Sequence, residues 1–159
     1  MNNIKISTLC YIEKDGSYLM LFRNKKEDDI NEGKWIGVGG HFEEDESPDE
    51  CIIREAKEET GLDLLHPDLR GIVTFVSGKG LTEYMFLYTA SRFSGELIPC
   101  TEGDLKWIEK NKIKDLTLWE GDKIFLELLS SGHPFFSLKL VYDEKDVLIS
   151  AVLDGDIIS

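Results

Sequence analysis

GHFEEDESPDECIIREAKEETGL, residues Gly40–Leu62, encodes a helix with both of its ends marked. Ser47 is placed to cap it, Pro48 suits a first helical position whose N–H has no partner, and Glu50 completes a capping box. Asp49 and Glu50 put negative charge at the positive end of the helix dipole. The helix is predicted to run to about Thr60 and to stop at Gly61, which accepts the left-handed conformation that ends helices. Cys51, Ile52, Ala56 and Ile53 supply its apolar side.

Residues three and four apart share a helix face, so Glu55, Glu58 and Glu59 crowd into one arc. Arg54 lies between Glu50 and Glu58 at helical spacing and is expected to steady the cluster. A Glu-rich helix is ordinarily a solvated surface. Three carboxylates on one arc, however, repel one another unless a cation sits among them. Hard oxygen donors of this kind suit Mg²⁺ or Mn²⁺, and the chain has no D-x-D-x-D-G loop that would point to calcium. Gly39-Gly40 just before the segment lets backbone approach closely and expose a carbonyl. The residues therefore read as a magnesium platform.

The same stretch fits G-x5-E-x7-R-E-U-x-E-E-x-G-U, where U is aliphatic, through Gly40, Glu46, Arg54, Glu55, Ala56, Glu58, Glu59, Gly61 and Leu62. Seven identities at about 7% usage each give a chance match on the order of 10⁻⁸ per start, which Glu-richness raises roughly tenfold. The pattern is specific, and by it the chain resembles the Nudix hydrolases. That resemblance implies an α/β/α sandwich with a mixed sheet. It also implies hydrolysis of a nucleoside diphosphate linked to another group, with metal held by a glycine carbonyl (Gly39 or Gly40) and by Glu55, Glu58 and Glu59.

Flanking segments extend the likeness. GKWIGVGG (Gly33–Gly40), EGDLKW (Glu102–Trp107), TLWEGDKIF (Thr117–Phe125) and PFFSLKLVYD (Pro134–Asp143) resemble the MutT/MutX branch. That branch cleaves oxidised purine nucleoside triphosphates to the monophosphate and pyrophosphate. In it a downstream glutamate joins the metal site, and Glu102 fits; otherwise Glu102 is a surface acid. Arg23 falls where relatives carry a basic residue near the phosphates. Trp119 and Asp122 match a base pocket, an indole to stack and a carboxylate to accept from purine donors. The alternative is a Trp packed at a helix start with Asp122 in the first turn. Phe75 is a pocket wall or a core residue. Some relatives read the base with Asn just after the Trp of GKW, where this chain has Ile36. As the resemblance implies, a carboxylate takes the proton of the attacking water: Glu58 first, with Glu55 or Glu102 in reserve, and Arg54 beside them.

With 159 residues, the chain reads as one domain able to bury roughly 68–70% of its unfolded surface. A hydrophobic fraction of 42% and a charged fraction of 31% are those of an ordinary globular protein. Net charge of −13 argues against nucleic acid or anionic membrane as partner. A small phosphate-bearing nucleotide remains compatible if metal bridges the two acidic parties. Cys10, Cys51 and Cys100 form no C-x-x-C pair and read as buried thiols in a reducing compartment. MNNIKISTLCYIEKDG lacks a signal-peptide core, and no apolar run reaches 18 residues, so a cytoplasmic enzyme is expected. Oligomeric state is not readable.

Strands are expected at Ile4–Ile12, Tyr18–Arg23, Trp35–Val38, Arg70–Val76, Thr82–Phe93 and Asp104–Glu109, with Asn24–Lys34 a polar loop. Leu118–Ser130 has helical spacing, and Phe135–Tyr142 with Val147–Leu153 forms a closing hairpin. This order is α/β, a mixed sheet between helices. Among rivals, a non-catalytic nucleotide binder is disfavoured because no box carboxylate is lost, and an isoprenoid isomerase because no supporting cysteine motif occurs. Another Nudix substrate, such as ADP-ribose, a nucleotide sugar or a dinucleoside polyphosphate, would change only the pocket.

Overall fold

The computed structural model describes residues 3–159; Met1 and Asn2, part of the N-terminal stretch read above, lie outside the described residues. Eleven strands and two α-helices follow one another along them. The first strand, β1 (Asn3–Lys14), turns at Asp15-Gly16 into β2 (Ser17–Arg23), and β3 (Trp35–Ile36) follows a long loop. Helix α1 (Pro48–Thr60) leads into β4 (Asp63–Leu64), β5 (Asp68–Val76), β6 (Leu81–Ala90), β7 (Phe93–Ser94) and β8 (Gly103–Glu109). A 3-10 helix (Lys110–Asp115), α2 (Glu120–Ser130), β9 (Phe136–Tyr142), β10 (Leu148–Leu153) and β11 (Asp156–Ile157) complete the order. None of the helices is long and apolar enough to cross a membrane.

The main sheet runs β11-β10-β9-β5-β6-β1-β2-β3, with β8 also on β2. It is mixed: β1 with β6 and β5 with β9 are parallel, the other pairs antiparallel. Successive side chains of a strand face opposite ways, and β1 shows what that does here. Leu9 and Tyr11 enter the core beneath α2, whereas Cys10 and Ile12 enter the core beneath α1. The strand is buried without a break from Ser7 to Ile12 because both faces are covered. This is the expected α/β/α sandwich.

Strands β1 and β2 pair only beside their turn, through Glu13–Tyr18 and Lys14–Ser17. Beyond it they diverge, and Trp35–His41 fills the opening. That segment pairs with β2 at Trp35 and Ile36, then with β1 at Val38 and His41. The glycine run is thus carried across the sheet to the side of α1.

Local chemistry shapes α1 as expected. The Ser47 hydroxyl accepts from Glu50 N–H at 3.1 Å, and the Glu50 carboxylate accepts from Ser47 N–H at 2.9 Å. Gly61 ends the helix at φ 83°. Two readings are corrected. Ile53 faces solvent, because the inward stripe follows Ile52, Ala56 and Thr60 at helical period. The strand expected over Thr82–Phe93 stops at Ala90, since the chain there leaves the main sheet and Phe93 pairs with Leu64 instead.

Candidate active site

Arg54 is the hub of the acidic helix. Its Nε and Nη2 grip both oxygens of Glu46, at 2.6 and 3.0 Å, and Nη2 also donates to the His41 carbonyl at 3.0 Å. Nη1 reaches Glu55 at 2.8 Å and Glu58 at 3.2 Å. The expected neighbour Glu50 is not among these partners, because its carboxylate is committed to the capping box. A bidentate guanidinium is the stronger form of such a pair, and it ties loop 41–46 to α1. Glu46 is held below its ordinary carboxylate range by that contact.

The three glutamates of the arc part ways. Glu58 stands outward, its side chain 57% exposed, against Arg54. Glu55 and Glu59, one turn apart, point at the glycine run. Gly39 N–H donates to Glu59 Oε1 at 2.9 Å, while Glu59 Oε2 is buried with no hydrogen-bond partner among the described residues. At Gly40 a Cβ would overlap the Glu55 carboxylate, so only glycine allows that approach. The Gly40 carbonyl accepts from Thr8 N–H at 2.9 Å, whereas the Gly39 carbonyl accepts no hydrogen bond among the described residues. Burial pushes Glu59 up to about 8 and raises Glu55, and the charge of Glu102 adds to both shifts. Glu102, from the loop before β8, is paired with Arg23 Nη1 at 3.0 Å. Among the described residues no three acidic, His or Cys side chains are gathered closely enough to enclose an ion.

Some of these groups border a cavity of about 420 Å³, a size suited to a small-molecule ligand. Arg23, Gly39, Gly40, Glu55 and Glu102 line one part of it. Phe75, Trp119 and Asp122 line another, together with Ile36. Arg54, Glu58 and Glu59 do not line it; Glu59 lies behind Gly39. Arg23 is buried rather than a surface residue, its Nε on Asp29 at 2.7 Å.

At the aromatic end, Trp119 is both packed and part of the wall. It is the N-cap residue of α2 and stands edge-on to Phe75 and Tyr142 at 5.1 and 5.0 Å. Lys34 Nζ lies 4.4 Å from its ring centre. Asp122 is buried in the first turn of α2, and burial pushes it up to about 8, against the opposing charge of Lys34. Sequence reasoning passed over loop 24–34, which brings Lys26, Asp29 and Asn31 to the cavity. Its signal was a density of Asp, Asn and Lys with no periodicity.

Carboxylates beside bare backbone at one end and a stacking surface at the other suit a ligand that joins phosphate to an aromatic ring. The chain belongs to the Nudix family, whose NUDIX domain matches residues 3–129, and it is a hydrolase of that family. Enzymes of the family act on small-molecule nucleotides with a divalent metal ion. A Bacillus subtilis (strain 168) protein called Uncharacterized Nudix hydrolase YvcI is 30% identical over 159 residues, 97% of each chain. An oxidized purine nucleoside triphosphate hydrolase of Danio rerio is 27% identical over 154 residues, 94% of each. The crystal structure of mMutator MutT protein from Bacillus halodurans aligns with a TM-score of 0.85 at 26% identity, over 96% of this chain and 99% of that one.

Proposed function

We propose that this chain is a nucleoside triphosphate pyrophosphohydrolase of a single domain. It cleaves oxidised purine deoxynucleotides such as 8-oxo-dGTP to the monophosphate and pyrophosphate, a nucleotide-pool activity of the cytoplasm. The observation that carries the reading is one cavity joining the acidic glycine turn to the Trp119–Asp122 wall. The names of the zebrafish and Bacillus halodurans relatives support it.

The acidic end carries donor types that suit a divalent ion, although its side chains do not by themselves enclose one. Glu59 Oε2 and the Gly39 carbonyl, neither hydrogen-bonded among the described residues, and the carboxylates of Glu55 and Glu102, whose charges help to raise Glu59, are hard-oxygen donors of the kind Mg²⁺ takes. Gly39, Glu55, Glu59 and Glu102 would hold Mg²⁺, with Mn²⁺ as substitute and Glu58 as an outer donor. The ion, when bound, neutralises phosphate oxygens and lowers the pKa of water. Glu55 and Glu102 line the cavity, which favours either over the outward Glu58 as the group taking the proton of the attacking water. Arg54 keeps Glu55 in place, and Arg23 with Lys26 carries positive charge to the phosphate end. Trp119 stacks on the purine, with Phe75 behind it. Asp122, when ionised, accepts from N1–H and the exocyclic amine.

A substrate panel with magnesium tests this. Pyrophosphate release with 8-oxo-dGTP or dGTP well ahead of dCTP is expected. AMP from ADP-ribose as the main product, or equal rates on all three triphosphates, would overturn the substrate assignment.

A further inference from the structure

Ile36, Phe75, Leu81 and Met85 of the cavity lining are apolar and offer a base edge no side-chain donor. Loop 24–34 supplies an amide there. Trp119 Nε1 donates to Asn31 Oδ1 at 2.8 Å. An indole N–H is a donor only, so it must face the amide oxygen, and this settles the orientation of the Asn31 side chain. The amide nitrogen then points away from the indole, and it makes no hydrogen bond among the described residues. Asn31 itself lines the cavity.

The backbone around it is pinned on both sides. Asn31 N–H donates to Asp29 Oδ1 at 3.1 Å, and the Asn31 carbonyl accepts from Lys34 N–H at 3.0 Å. Asp29 Oδ2 in turn receives Arg23 Nε at 2.7 Å. A short chain of hydrogen bonds thus runs from Arg23 through Asp29 and Asn31 to Trp119. A side chain held at both ends is pre-organised, so presenting its free donor to a ligand costs little ordering entropy.

We propose that Asn31 is a specificity-determining residue: its oxygen clamps the Trp119 indole and its amide nitrogen donates to the 6-oxo group of a guanine-type base. Paired with the Asp122 acceptor, such a donor complements O6 and N1–H of guanine, and it opposes the 6-amino group of adenine, itself a donor. The inference rests on the purine pocket of the proposed function.

Asn31→Asp keeps the oxygen for Trp119 and the size of the side chain but removes the donor. With it, KM for 8-oxo-dGTP and dGTP is expected to rise about tenfold, the scale of losing one hydrogen bond to a buried partner. Values of kcat should stay within about twofold, KM for dATP should not rise, and tryptophan emission and Tm should match wild type. Calorimetric binding of 8-oxo-dGMP should weaken in parallel. Asn31→Ala, which also frees the indole, should weaken all purines and shift the emission. An unchanged guanine-over-adenine ratio of kcat/KM in Asn31→Asp, or equal losses for both bases in the two variants, would overturn the inference while leaving the pocket intact. A wild type with no preference for purines over dCTP would instead remove the pocket itself.

Discussion

Glu59 is a hydrogen-bond acceptor and a buried acid, and in the proposed reading a metal ligand. One oxygen is spent on Gly39 N–H, and the other has no partner among the described residues. Glu59→Gln keeps the shape but loses the charge that a cation needs. Turnover is expected to fall by about two orders of magnitude or more, with the magnesium requirement shifted to higher concentration. Undiminished hydrolysis at limiting magnesium would take Glu59 out of the metal site. Asp122 makes a different prediction. Its pKa is raised from 3.8 to about 8 by burial, so the folded chain keeps this proton where the unfolded chain has lost it. Its stabilising contribution is complete below about pH 4, declines as pH rises toward about 8, and is gone above that. Asp122→Asn cannot titrate. The Tm of the variant minus that of wild type should therefore climb between pH 5 and pH 8 (roughly the window those values set), and a flat difference would mean that Asp122 is solvated.

Helix α1 owes its position to its two ends as much as to its apolar face. The capping box starts it, and Gly61 closes it at φ 83° with N–H bonded to the Lys57 carbonyl at 2.9 Å. A Cβ at Gly61 would also crowd the Glu96 carbonyl. Gly61→Ala should cost on the order of 1 kcal/mol or more, or roughly 2–4 °C in Tm for a chain of this length, with kcat nearly unchanged. An unaltered Tm would mean that the last turn relaxes freely. Loop 24–34 is the second element that matters. It has no regular structure beyond turns, yet it closes one side of the cavity through Asp29 and Asn31.

For the whole molecule, net charge of −13 opposes the compact state through self-repulsion. Added monovalent salt screens that repulsion over a Debye length of about 10 Å at 0.1 M. Tm should therefore rise between low salt and about that concentration, measured without divalent ions so that site binding does not contribute. A Tm that falls over this range would show that attractive pairs such as Arg54–Glu46 outweigh the net repulsion.

What could be read from the sequence is what depends on neighbours along the chain. The capping box, the stop at Gly61, the shared arc of Glu55 and Glu59 and the strand over Ile4–Ile12 all follow from contacts within a few residues, and the structure contains each of them. The family pattern is legible for the same reason, since it lies on one loop and one helix. The direction of each carboxylate was decided by tertiary structure alone. Arg54 chose Glu46 over Glu50 because loop 41–46 folds back beside it, Glu58 turned outward, and Glu102 met Arg23 across separate parts of the chain. Asn31 reached Trp119 in the same way, over a separation of 88 residues. A hydrogen bond of that span carries no local spacing to detect. It exists because Trp35 N–H donates to the Thr117 carbonyl at 2.9 Å and so brings the end of loop 24–34 beside the start of α2, and only the closed fold sets which side chains meet there.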